Sequence, residues 1–67
     1  MKITADLMEK RMSVALSDGR VFTGLCWGVY GSVEGQEYGR AERYIELLNN
    51  GQSTILFESD IKEIKFL

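Results

Sequence analysis

The side chains of this chain that could do chemistry are few, and they are not arranged as a catalytic set. There is no histidine, and the single cysteine, Cys26, lies between Leu25 and Trp27 with no base beside it to draw off its proton. Such a cysteine reads as a small buried hydrophobe. Glu34 and Glu37 have the carboxylates of an acid–base pair, but they sit in a glycine-rich stretch and read as solvated loop charges. One cysteine without histidine cannot complete a structural zinc site of the usual type. The expectation is a protein that is not an enzyme and takes no metal or other cofactor.

Binding chemistry is better represented. Tyr38-Gly39-Arg40-Ala41-Glu42-Arg43-Tyr44 is the one place where basic and aromatic residues interleave. Arginine can pair bidentately with phosphate or stack on a base, and tyrosine offers a stacking face. Tyr30, Tyr38, Arg40, Arg43 and Tyr44 are therefore the candidate contacts for single-stranded RNA or a protein partner. Glu42 stands between the two arginines, so the competing reading is a hairpin with its own ion pairs. Trp27 could also stack, but in simple alternation it shares a face with Leu25 and Val29, which favours packing.

Charge separates the two kinds of partner. Eight Lys and Arg against ten Asp and Glu give a net charge of −2. With an isoelectric point near 5.0, the overall field is unfavourable for a phosphate backbone and sits more easily with a protein partner.

Elements able to position these residues must come from 67 residues, 45% of them hydrophobic and 27% charged. That is one ordinary globular domain, 1–67, whose small core cannot be reinforced by an intrachain disulfide. Apolar runs are far shorter than the roughly 20 residues of a membrane span, and Asp6 and Glu9 interrupt any signal-like stretch. The reading is a cytoplasmic protein with no membrane partner.

Thr4 with Asp6 in the following turn predicts a short helix over about 4–10. The period then changes to two: Met12, Val14 and Leu16 alternate with Ser13, Ala15 and Ser17, and Asp18-Gly19 follows as a hairpin signal of the primed-turn kind. A long second strand runs from about Arg20 to Tyr30. Its glycines, Gly24 and Gly28, point to strong bending or close backbone approach. Residues 31–39 carry three glycines without hydrophobic period and read as a flexible loop. Strand three covers about Arg43 to Leu48, Asn50-Gly51 makes a type I′ turn, and strand four covers about Ser53 to Glu58. A tight or single 3₁₀ turn at Asp60 leads into a last strand with Ile61, Ile64 and Phe66.

Helix followed by five strands resembles the Sm-like family of small barrels. The likeness is carried by Val14-Ala15-Leu16-Ser17-Asp18-Gly19-Arg20-Val21-Phe22-Thr23-Gly24 and by Leu56-Phe57-Glu58-Ser59-Asp60-Ile61-Lys62-Glu63-Ile64. It implies a mainly β fold, a strongly bent five-stranded antiparallel barrel behind a short N-terminal helix. It also implies self-assembly, since Sm-like proteins pair strands four and five between neighbours in a ring. Ile55, Phe57, Ile64 and Phe66 are the corresponding edge residues, with Lys62 and Lys65 as candidate edge guards. The family's RNA-binding members carry an Asp and an Asn at places that fall near Tyr30 and Glu34, and a basic residue and glycine where Glu58-Ser59-Asp60 stands. Carboxylates there would repel phosphate. The chain is also similar to the Rho-inhibiting Rof family, which acts by binding a protein. The expected function is a self-assembling, regulatory protein-interaction module, with an RNA-binding ring as the alternative.

Overall fold

The computed structural model describes residues 2–67. Five antiparallel strands, β1 (Arg11–Leu16), β2 (Val21–Tyr30), β3 (Tyr44–Asn49), β4 (Gln52–Phe57) and β5 (Ile61–Phe66), form one sheet in the order β4-β3-β2-β1-β5. Strands β4 and β5 are its two outer strands and do not pair with each other. The sheet is therefore open.

Bending is concentrated in β2. Its first half, Val21 to Leu25, pairs with β1, and its second half, Leu25 to Tyr30, pairs with β3. Gly24 makes this possible: a Cβ there would lie 2.6 Å from the Leu48 carbonyl oxygen, so only glycine lets β3 cross so closely. Between Cys26 and Gly28 the β2–β3 register shifts, leaving Trp27 as the extra residue of a bulge. That bulge reverses the alternation. Before it Phe22 and Cys26 face the core, and after it Val29 does. Trp27 was expected to pack in the core or at an interface; it stays on the outward face of Val21 and Thr23, 58% exposed, so it is not part of the core.

Turn chemistry accounts for the hairpins. Asn50 and Gly51 both have positive φ, 52° and 77°, as a two-residue type I′ turn requires. The β1–β2 turn departs from its expected primed form. Only Gly19 is left-handed there, at φ 96°, and bonds from Gly19 N–H to Leu16 C=O and from Leu16 N–H to Arg20 C=O define a three-residue loop.

The expected N-terminal helix is a single 3₁₀ turn, Ala5–Leu7. Thr4 Oγ1 bonds the Asp6 carboxylate and caps no backbone N–H, and Glu9 at φ 63° ends the turn. The glycine-rich stretch is more ordered in form than a loop: α1 (Ser32–Gly35) and a 3₁₀ turn at Gln36–Tyr38 end on left-handed Gly39. A further 3₁₀ turn, Glu58–Asp60, precedes β5 as anticipated.

The core lies on one face of the sheet. Met12, Val14 and Leu16 of β1, Cys26, Ile45, Leu47, Leu56 and Ile61 fill it, and Ile3 and Leu7 cover it from the N-terminal segment. Each such aliphatic side chain contributes about 1.5–3 kcal/mol on burial. No helix among the described residues is long and apolar enough to cross a membrane.

Candidate functional site

Four of the five candidate contact residues converge at one end of the sheet, on the face away from Ile45 and Leu56. The two-residue turn fixes β3 against β4 so that Tyr44 lies opposite Phe57, and β2 places Tyr30 opposite Tyr44. The result is a row of rings across three strands. Tyr30 stacks on Tyr44 with centroids 4.7 Å apart and planes 19° apart, and Phe57 tilts against Tyr44 at 5.4 Å. Tyr38, carried by the 3₁₀ turn after α1, meets Tyr44 edge-on at 5.5 Å and Phe57 at 6.3 Å. Tyr44 is the buried centre, whereas Tyr38 is 53% exposed.

Gly28 is what lets Tyr30 lie down on this face. A Cβ at Gly28 would fall 2.5–2.7 Å from atoms of the Tyr30 ring. The Tyr30 hydroxyl donates to Glu46 Oε1 at 3.2 Å, and Glu46 also accepts from Ser53 Oγ. That bond to a carboxylate raises the Tyr30 phenol above its ordinary pKa. Burial does the same for Tyr44.

Arg40 joins the ring cluster, with its guanidinium carbon 4.3 Å from the Phe57 ring centroid. Its nitrogens are already occupied. Nη1 bonds Asp60 Oδ2 at 2.8 Å, Nε and Nη2 bond Glu42 Oε2 at 3.0 and 2.9 Å, and Nη2 bonds Ser59 Oγ at 2.7 Å. The hydrogen bond to Asp60 raises the Arg40 pKa further. Glu42 is held below the ordinary glutamate range, chiefly by the Ser59 N–H that it accepts at 2.8 Å. Arg43 lies apart from this cluster and donates from Nη1 to the Ile3 carbonyl at 3.1 Å, while Glu58 accepts the Ile3 N–H at 2.6 Å.

The structure thus gathers Tyr30, Tyr38, Tyr44 and Arg40, and sends Arg43 to clamp the N-terminal segment. Phe57, Glu42, Glu46 and Asp60 also belong to the site: Phe57 was expected only at an oligomer edge, Glu42 as an ion-pair partner of the arginines and Asp60 as a turn residue, whereas Glu46 was not anticipated. The Asn50-Gly51 turn was the available signal for Phe57, since a two-residue turn dictates its pairing with Tyr44. Cys26 is fully buried, and desolvation raises its thiol pKa. Among the described residues no group of three or more metal-ligating side chains converges.

The other expected residues fall on the sheet's outer strands. Ile55 and Phe57 are half-buried on β4, Ile64 is half-buried on β5, and Phe66 is 56% exposed there. The hydrogen-bond parity is decisive for them. Glu58 N–H bonds the Arg43 carbonyl and Leu67 N–H bonds the Arg11 carbonyl. Antiparallel alternation from these bonds turns the backbone groups of Ser53, Ile55 and Phe57 on β4, and of Ile64 and Phe66 on β5, away from the sheet. All four edge candidates therefore turn their main-chain donors and acceptors outward, with no backbone partner among the described residues.

Comparison with family models, with curated proteins and with solved structures returns no match for this chain.

Proposed function

We propose that this domain is a non-catalytic, Sm-like protein-interaction module that self-assembles through the open edges of its sheet. The observation that carries this reading is the pair of uncovered outer strands, each with apolar side chains beside outward-turned backbone groups. Exposed edges of this kind are templates for strand pairing. The hairpin at residues 16–20, five antiparallel strands and the 3₁₀ turn before β5 support the Sm-like assignment.

Protein is favoured over RNA by the fate of the arginines. Arg40, which an RNA site would need, neutralises Glu42 and Asp60 instead of facing outward unpaired. Sedimentation velocity across a wide concentration range tests the reading, with oligomers expected. A monomer at the highest concentration refutes it. Titration with single-stranded RNA at low salt is expected to show no binding, and tight salt-dependent binding would move the assignment to the RNA-binding ring.

A further inference from the structure

The two outer strands are not alike. Strand β5 carries Lys62, Glu63 and Lys65, its pairing with β1 is interrupted by a register shift at Ala15/Leu16, and Lys10 Nζ sits 5.2 Å from the Phe66 ring centroid. Charged side chains and irregular pairing are the usual protections of an edge. Strand β4, Gln-Ser-Thr-Ile-Leu-Phe, has no charge, no proline and no break in its register with β3. It is the unguarded edge.

We infer that β4 pairs antiparallel with β4 of a second copy about a two-fold axis at Ile55. This rests on the self-assembly reading above and specifies its geometry. The outward-turned residues Ser53, Ile55 and Phe57 are spaced symmetrically about Ile55. Centring the pair there sets Ile55 against Ile55 of the second copy and Ser53 against its Phe57. Every outward N–H of the three then meets an outward carbonyl of the second copy. The half-buried Ile55 and Phe57 side chains gain cover, and the ring row Tyr30–Tyr44–Phe57 continues toward its symmetric equivalent. No charged residue of either strand is brought opposite a like charge, because β4 has none. A self-complementary edge of this sort closes as a dimer, whereas β4 against β5 is head-to-tail and must form a ring or filament.

The test is light scattering on three purified proteins, wild type, Ser53→Pro and Phe66→Pro, with circular dichroism to check the fold. Both prolines replace an outward N–H and leave the internal ladders intact. Expected are a wild-type dimer, a monomeric Ser53→Pro protein and a dimeric Phe66→Pro protein. Ile55→Cys is the second probe, independent of whether the proline variant folds. Paired Cα atoms about 5.5 Å apart are within disulfide reach, so mild oxidation is expected to give a crosslinked dimer. A higher oligomer lost in both proline variants, or a dimer lost only in Phe66→Pro, overturns the two-fold geometry and leaves self-assembly standing. An uncrosslinked Ile55→Cys oligomer does the same. A wild-type monomer overturns both readings.

Discussion

Substituting Gly24 by alanine tests the close crossing on which the bent sheet depends. The new Cβ would stand 2.6 Å from the Leu48 carbonyl oxygen and 3.1 Å from its carbon. Both are backbone atoms, so no rotamer change relieves the clash, and β2 must move away from β3 at the Leu25–Leu48 pair. Overpacking of this kind costs about 1–3 kcal/mol. The alanine recovers about 0.5–1 kcal/mol of glycine's conformational entropy. The net expected effect is a loss of up to about 2.5 kcal/mol, and with a urea slope near 1 kcal/mol/M for a small domain the midpoint falls by up to about 2.5 M. Gly28→Ala is the internal control. There the obstacle is the Tyr30 ring, which can swing aside, so its loss should be smaller. Equilibrium urea unfolding of both variants decides the matter. A Gly24→Ala midpoint at or above wild type, or a larger loss for Gly28→Ala, refutes the close-crossing argument.

Three further outcomes are expected. Glu9→Gly relieves a left-handed residue at φ 63° and should stabilise the fold by about 1 kcal/mol, read as a raised urea midpoint. Cys26, buried and with a raised thiol pKa, should resist a thiol-specific reagent in the native protein and react fully in denaturant. Glu42 is held below its ordinary pKa, so it contributes stability that is present above the unfolded value of about 4.3. That contribution is lost as pH falls through the lower folded value. Thermal unfolding across this window should show a smaller acid-induced loss in Glu42→Gln than in wild type.

Strand content was largely legible because period-two alternation and turn residues act locally. Met12, Val14 and Leu16 face inward as their spacing implies, and Asn50-Gly51 forms the expected turn. Trp27 and Val29 do not share a face as expected, because alternation has no memory of a bulge: one extra residue between Cys26 and Gly28 flips every later side chain. The helix at 4–10 failed for a different reason. Its capping side chain bonds Asp6, and Lys10 and Glu9 are drawn into backbone bonds with Cys26, so tertiary pairing outcompetes a weak local signal. At the site, the aromatics could be listed but not assembled, since Tyr30, Tyr44 and Phe57 meet only through registers set by the bulge and the turn together.

The arginines show how a small core changes what surface charge is for. With no disulfide available, distant segments are tied by side chains: Glu58 accepts the Ile3 N–H, Arg43 donates to the Ile3 carbonyl, Glu42 holds Ser59, and Arg40 links Glu42 to Asp60. The Asp60 carbonyl in turn accepts the Ser17 N–H of the β1–β2 hairpin. These ties converge on the Glu58–Asp60 turn, the segment where a carboxylate run looked hostile to phosphate. Its charges serve the fold. They join the strands that end there. A basic residue placed among partners in this way is a poor phosphate ligand, because each contact made to a ligand must first break one made internally. The uncharged β4 edge, by contrast, gives up nothing internal when it pairs. The proposed strand pairing rests on that difference.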